Sequence, residues 1–135
     1  MSELGRRIWI MDLTVLGKDS EGGWVRFLYG IANALDMALA GTPDVRRYPL
    51  DGKGGNGLTI FQPITDSFLA LDTWPDHGGV HFTIHSCKEF NASVVLTYIY
   101  AQGLKVHTTK SHIMELPDGQ VRQQDRLRSG QRPVC

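Results

Sequence analysis

The sequence predicts a two-layer α/β sandwich, in which a mainly antiparallel sheet carries two helices on one face. Three observations favour this fold class: two segments show a helical repeat of apolar residues, most other segments are strand-like, and several strands follow one another without an intervening helix. Consecutive strands favour antiparallel pairing, with the helices gathered on one side of the sheet. The other face of the sheet must then be covered by something else.

The first two elements are predicted to be an interior strand and a helix. Residues 4–16 form an apolar run that is too continuous for a surface helix and short enough for a strand inside a sheet. From Trp24 to Leu39 apolar residues recur every three or four positions, with Ser20 near the start and Gly41 just past the end. This pattern predicts a helix that packs on one face of the sheet.

Residues 43–51 are expected to form a short edge strand. Its Arg46 and Arg47 could hold an anion, but exposed charges that discourage the addition of a further strand are the favoured interpretation. The glycine-dense segment 51–57 suggests a phosphate loop, yet it lacks the preceding strand, the following helix and the Lys-Ser/Thr ending of such a loop. We interpret it as a turn.

A strand over residues 58–64 leads into a hairpin that spans residues 66–87. Two alternating runs flank the connection at 73–79, which contains glycine and proline, and this arrangement is typical of two antiparallel strands. In the second strand one face is predicted to be apolar (Val80, Phe82, Ile84) and the other more polar (His81, Thr83, His85, Cys87).

The folded part is predicted to end with a helix over residues 90–101 and a strand over 104–114. The helix is expected to begin near Asn91. Its inward side chains are expected to be Val94, Val95, Tyr98 and Ile99. Residues 1–116 would then form one domain, and residues 117–135, which are rich in arginine and glutamine, a disordered tail.

Composition and charge exclude several function classes. The 14 basic and 14 acidic side chains cancel, so neither nucleic acid nor a membrane surface is expected as a partner. No apolar run approaches the roughly 20 residues of a membrane span. The two cysteines, Cys87 and Cys135, make no disulfide framework, which agrees with a reducing compartment. A cytoplasmic protein is expected.

The two far ends of the hairpin carry a hydroxyl and a thiol. Ser67 opens the first strand, and Cys87 ends the second strand twenty positions later. Strands that fold back on each other bring their far ends together. The hydroxyl of Ser67 and the thiol of Cys87 can therefore meet at this end of the hairpin.

The segments 64–67, 72–76 and 82–87 resemble the core of the prokaryotic S-adenosylmethionine decarboxylase family. Members of that family carry Glu-Ser at a self-cleavage point, His-Thr-Trp-Pro-Glu in the turn, and a catalytic cysteine twenty residues after the serine. The spacings in this sequence match that pattern without a gap. The start of the chain, at residues 4–7, shows a weaker resemblance.

The resemblance implies a decarboxylase of spermidine synthesis that makes its own cofactor. In the family the serine attacks the preceding carbonyl, the resulting ester undergoes β-elimination, and the cleaved chain begins with a pyruvoyl group that reacts with the substrate amine. By this resemblance Ser67 is the pyruvoyl precursor and Cys87 is the acid that reprotonates the product carbon. The substrate would be S-adenosylmethionine, and a homodimer would cover the free face of the sheet.

Further residue roles follow from the same resemblance. Trp74, Asp76 and Phe68 fall at positions where the family binds its substrate, and the carboxylate of Asp76 would accept hydrogen bonds from the ribose. The residue before the cleaved bond is Asp66 instead of Glu. Thr59 stands at the second processing serine and retains its hydroxyl.

Asp72 is the departure with the largest chemical consequence, because it replaces the histidine that assists self-cleavage in the family. A carboxylate is a weaker base than imidazole, so processing is the step expected to be most affected. Two alternatives stay open. The pocket could take another amino acid such as arginine or ornithine, for which a carboxylate is a suitable partner. The chain could instead be a homologue that is never cleaved and binds a nucleoside or a partner protein.

A metal site is not expected. His81, His85 and Cys87 share one strand face, and Asp72 or His77 could join them as ligands of zinc. Residues four apart on a strand are about 13 Å apart, however, which is too far for one ion.

Overall fold

In a computed structural model the protein is described over residues 6–50, 55–74 and 78–116. Its elements, in chain order, are β1 (Arg7–Leu16), α1 (Glu21–Ala34), β2 (Asp44–Leu50), β3 (Gly55–Ile64), β4 (Ser67–Trp74), β5 (Gly79–Ser86), α2 (Ala92–Ala101) and β6 (Lys105–Glu115). This order confirms the predicted α/β fold with two helices. The predicted tail at 117–135 and most of the glycine-dense turn lie outside the described residues.

The strands form one six-stranded sheet in the order β2-β3-β4-β5-β1-β6. Every neighbouring pair is antiparallel. β1 lies inside the sheet, as its continuous apolar run predicts, and the β4–β5 pair is the predicted hairpin. Among the described residues, no helix is long and apolar enough to cross a membrane.

The hydrophobic core lies between the two helices and one face of the sheet. The four inner strands, β3, β4, β5 and β1, contribute alternate side chains to it, because successive residues point to opposite faces. The buried core residues of the strands include Met11, Leu13, Val15, Ile60, Leu69, Leu71, Val80, Phe82 and Ile84. The alternation predicted for the second hairpin strand is confirmed.

Helix α1 starts where the sequence predicts and ends earlier. The Oγ atom of Ser20 caps it by accepting a hydrogen bond from the N–H of Gly23 at 3.0 Å. The predicted extension to Leu39 is wrong, because Asp36 adopts a left-handed conformation (φ 57°) that ends the helix after Ala34. Leu39 is instead 42% exposed and forms an isolated bridge with a residue of β3.

Helix α2 follows Asn91, whose side chain accepts a hydrogen bond from the N–H of Ser93. Of the side chains predicted to point inward, Val95 and Ile99 are fully buried. The prediction is wrong for Val94, which is 36% exposed, because only one of two consecutive helical residues can face the core at this point.

The arginines of edge strand β2 are exposed and paired with acids. The Nε and Nη2 atoms of Arg47 donate hydrogen bonds to the carboxylate of Glu21, at 2.6 and 2.5 Å. These hydrogen bonds join β2 to the first turn of α1. They also lower the pKa of Glu21. Arg46 pairs with Asp44 on its own strand at 3.1 Å. Both pairings agree with the exposed-edge interpretation.

No helix covers the second face of the sheet in the described part of the chain. We call it the open face. It is defined by the side chains that alternate with the buried ones, namely Ile10, Asp12, Thr14, Thr59, Phe61, Phe68, Ala70, Asp72, His81, Thr83 and His85.

Candidate active site

The predicted cleavage point lies in the tight turn between β3 and β4. Ile64 and Ser67 are register partners, so only Thr65 and Asp66 form the connection. The segment that follows α1 holds the turn in place, because the N–H of Thr65 donates to the carbonyl of Ala38 at 2.9 Å. The peptide bond between Asp66 and Ser67 therefore has a fixed position at the end of the sheet.

The backbone of Ser67 is strained. Its φ angle is 149°, a conformation that is essentially restricted to glycine because a side chain makes it sterically unfavourable. Such a conformation costs on the order of 1–3 kcal/mol and persists only where the surrounding structure imposes it. Here the tight turn on one side and the pairing of Ser67 with Ser86 on the other impose it.

The carbonyl oxygen of Asp66 faces Cys87. It accepts a hydrogen bond from the backbone N–H of Cys87 at 2.9 Å, and the sulfur of Cys87 lies 3.2 Å away. The carbonyl group that Ser67 would attack thus already accepts a hydrogen bond at its oxygen. The structure brings the far ends of the hairpin together as predicted, because the carbonyl group that precedes Ser67 contacts Cys87.

Cys87 differs from its sequence-based expectation in one respect. It is disulfide-bonded in the structure, whereas the two cysteines were expected to make no disulfide framework and to agree with a reducing compartment. It is also the only cysteine among the described residues. Any role of Cys87 as a proton donor belongs to the reduced thiol.

His85 is a residue that the sequence analysis did not assign to the site. Its Nδ1 atom lies 2.7 Å from the Oγ atom of Ser67, and both residues are half-buried. The imidazole stacks on Phe68, with ring centroids 4.6 Å apart and planes 11° apart, and Phe68 stacks on Phe61 at 5.1 Å. The signal for His85 was its position on the polar face of β5, two residues before Cys87.

Asp72 and Thr59 form a second group, away from Ser67. The Oγ1 atom of Thr59 donates to the carboxylate of Asp72 at 2.6 Å, across the β3–β4 pair. Asp72 is five residues further along β4 than Ser67, or about 16 Å at the usual rise of a strand. Within one protomer, the predicted processing residues are therefore divided between the two ends of β4.

A third polar group lies beside Asp72 on the open face. Asp12 accepts a hydrogen bond from Thr83 at 2.7 Å, and its carboxylate lies 3.2 Å from Nε2 of His81, the register partner of Asp72. In the described ranges, no group of three or more His, Cys, Asp or Glu side chains could hold a metal ion.

The predicted substrate-binding residues are described only in part. Phe68 lies in the aromatic stack next to Ser67. Trp74 is the last residue of β4. Asp76 lies outside the described residues.

Comparisons with known proteins connect this fold to adenosylmethionine decarboxylases. No protein-family model matches the chain. The S-adenosylmethionine decarboxylase proenzyme of Pyrobaculum aerophilum is 31% identical over 49 residues, which are 36% of this chain and 39% of that protein. The match therefore spans well under half the length of the curated relative.

A solved structure resembles the chain over most of its length. The crystal structure of the adenosylmethionine decarboxylase from Aquifex aeolicus matches with a TM-score of 0.57 and 16% sequence identity. The match covers 86% of this chain and 93% of that one. The two proteins therefore share the same fold.

Proposed function

We propose that this protein is the proenzyme of a pyruvoyl-dependent decarboxylase, that it cleaves itself between Asp66 and Ser67, and that it then decarboxylates S-adenosylmethionine. One observation carries the proposal: Ser67 is held in a strained conformation directly after a carbonyl group that the N–H of Cys87 already polarises. The names of the curated relative and of the structural neighbour support the same activity.

The strain and the hydrogen bond both favour cleavage at this peptide bond. The unfavourable φ angle arises from contacts of the preceding acyl group with the side chain of Ser67. Transfer of that acyl group from nitrogen to the serine oxygen would relieve these contacts. The N–H of Cys87 would meanwhile stabilise the negative charge that develops on the Asp66 oxygen during the attack.

The surroundings of Ser67 fit a pyruvoyl group formed from this residue. The position is half-buried, the imidazole that stacks on Phe68 lies 2.7 Å from the Oγ atom of Ser67, and the sulfur of Cys87 lies 3.2 Å from the preceding carbonyl oxygen. When present, the group supplies an electron-accepting carbonyl for the loss of carbon dioxide. The reduced thiol of Cys87 would donate a proton to the product carbon. Phe68, Trp74 and Asp76 would hold the nucleoside and its ribose.

We propose in addition that two copies pair through the open face. Ala70, in the middle of that face between Phe61 and Thr83, provides a test because its small side chain leaves room for a close contact. Ala70→Arg should shift the protein from dimer to monomer in analytical ultracentrifugation. Ala34→Arg, at the exposed end of α1, is the matched control and should stay dimeric. A wild-type monomer at micromolar concentration would contradict the pairing.

The substrate has a second candidate class. Asp12 and Asp72 place two carboxylates on the open face, and in the proposed pair of copies, which meet through that face, they would complement a basic amino acid such as arginine or ornithine. Release of labelled carbon dioxide from S-adenosylmethionine, arginine and ornithine, each at equal concentration, separates the two classes. Faster release from arginine or ornithine would replace the nucleoside substrate with a basic amino acid.

The decisive experiment is the intact mass of the purified protein, kept under reducing conditions. Self-cleavage should give two fragments, residues 1–66 and residues 67–135, the second beginning with a pyruvoyl group instead of serine. Ser67→Ala should remain one chain. A wild-type chain that stays whole over days would favour the homologue that binds without cleaving. A cytoplasmic location is part of the same proposal.

A further inference from the structure

We infer that His85 is the general base that activates Ser67 for self-cleavage. The inference rests on the proposed function and deepens it, because the histidine that assists self-cleavage in the resembled family is replaced here by Asp72. His85 lies on a different strand, β5, and reaches the nucleophile across the hairpin.

The contact between the two side chains has the geometry of a nucleophile and its base. The Oγ atom of Ser67 and the Nδ1 atom of His85 are 2.7 Å apart, within hydrogen-bond reach. With the serine hydroxyl as donor, Nδ1 is the acceptor, and the neutral ring carries its proton on Nε2. That tautomer is the one able to take the hydroxyl proton.

The aromatic stack fixes the plane of the imidazole. Phe68 is the register partner of His85, and the two rings are nearly parallel at 11°. Phe61 supports Phe68 from the neighbouring strand. Because the ring of His85 lies flat on Phe68, Nδ1 stays directed at Ser67, which lies next to Phe68 in the chain. Phe61 and Phe68 thus act as positioning residues for the base.

Within one protomer, His81 and Asp72 of the open face are too distant from Ser67 to replace His85. His81 is four residues earlier on β5, about 13 Å away along the strand, and its Nε2 atom faces Asp12. Asp72 lies about 16 Å along β4 from Ser67 and accepts a hydrogen bond from Thr59. An aspartate at position 72 is therefore compatible with self-cleavage within one protomer.

The proposed step needs no reagent beyond the chain itself. Nδ1 of His85 takes the hydroxyl proton of Ser67 while Oγ forms a bond to the carbonyl carbon of Asp66, and the N–H of Cys87 stabilises the resulting oxyanion. The bond from that carbon to the nitrogen of Ser67 then breaks, and the imidazolium returns the proton to the nitrogen. The products are an ester between Asp66 and the serine oxygen and a free amine.

The test follows cleavage of freshly synthesised chains by gel electrophoresis under reducing conditions. His85→Ala should slow cleavage by about 10²- to 10⁴-fold, the usual contribution of a general base. Added imidazole should partly restore cleavage in this variant, which a purely structural role would not allow. His81→Gln, a change to a histidine on the same strand and face, should cleave at the wild-type rate. His85→Gln, closer in size to histidine, controls for folding and should also be slow.

Hydroxylamine identifies the step that His85 serves, because it splits esters but not ordinary peptide bonds. If His85 acts in ester formation, hydroxylamine should not split the His85→Ala chain. Two results would overturn the role of His85: cleavage of the His85→Ala chain at the wild-type rate, or its rapid splitting by hydroxylamine. In either case, cleavage of the wild-type chain would still uphold the proposed function. A wild-type chain that never splits would overturn both.

Discussion

The Oγ atom of Ser67 and the Nδ1 atom of His85 lie 2.7 Å apart, although 18 positions separate the two residues in the chain. The register of the β4–β5 hairpin explains this contact, because it pairs Ser67 with Ser86 and Phe68 with His85. The turn before Ser67 and the residue after Ser86 then bring the carbonyl of Asp66 onto the N–H of Cys87. The hydroxyl of Ser67, the imidazole of His85 and a hydrogen-bonded carbonyl group thus meet at one end of the sheet.

The strain at Ser67 predicts a difference between two inactive variants. Ser67→Gly and Ser67→Ala both remove the hydroxyl, so neither chain can cleave itself. Glycine adopts a φ of 149° without steric penalty, whereas alanine retains the strain. After allowance for the greater freedom of glycine in the unfolded chain, Ser67→Gly should be the more stable by about 1 kcal/mol. Urea denaturation of the two proteins measures the difference, and greater stability of the alanine variant would show that the turn is not strained.

Cys87 is expected to serve cleavage through its backbone and turnover through its side chain. Cys87→Ala retains the N–H that donates to the carbonyl of Asp66, so its chains should still split at a rate close to that of the wild type. The variant lacks the thiol, so release of carbon dioxide should be followed by faulty or absent reprotonation and little amine product. Under reducing conditions, gel electrophoresis measures chain cleavage and product analysis measures the amine formed. Equal loss of cleavage and of turnover would contradict this division.

Gly30 of α1 lies against the side chain of Tyr98 on α2. A Cβ atom at this position would lie 1.9 Å from the hydroxyl oxygen of Tyr98 on α2. Gly30→Ala should therefore destabilise the protein, because overpacking costs about 1–3 kcal/mol and exceeds the gain of about 1 kcal/mol in helix propensity.

Gly22→Ala is the matched control for Gly30→Ala, since both glycines lie in α1. A Cβ atom at Gly22 would meet only a flexible nitrogen of Arg26, at 3.4 Å. This variant should be as stable as the wild type or slightly more stable. Thermal melting of both variants checks the pair, and a stabilising Gly30→Ala would mean that the ring of Tyr98 moves away at no cost.

The ion pair between Glu21 and Arg47 predicts a dependence of stability on pH. The hydrogen bond from Arg47 lowers the pKa of Glu21 in the folded state. A carboxyl group whose pKa is lowered by folding stabilises the protein at pH values above its pKa in the unfolded chain, which is about 4.3 for glutamate. This stabilisation disappears as the pH falls through the pKa of the folded state.

Arg47→Met should therefore have a lower melting temperature than the wild type at pH 7 and the same melting temperature once Glu21 is protonated in both proteins. The difference should be small, since the side chains of the pair are 62% and 36% exposed. In a Glu21→Gln background, Arg47→Met should have no pH-dependent effect of this kind. A difference that persists in strong acid would assign the effect of Arg47 to packing.

Most of the architecture followed from local patterns in the sequence. Alternation identified the β4–β5 hairpin and the buried face of β5, and the capping residues Ser20 and Asn91 marked where both helices begin. The end of α1 was misplaced because the apolar repeat continues to Leu39, past the point where Asp36 turns the chain. A periodic pattern does not reveal which residue leaves the helical conformation.

The sequence by itself determined the fold class, which depends on the order and period of its apolar segments. It also determined the candidate pair Ser67 and Cys87, which depends on spacing along two strands that fold back on each other. Only the tertiary structure decided which base faces the serine. Ring stacking and strand register are relations between residues distant in the chain, and they place His85 beside Ser67 and leave Asp72 with Thr59. The strained φ of Ser67 likewise arises from contacts on both sides of the turn, which no local pattern encodes.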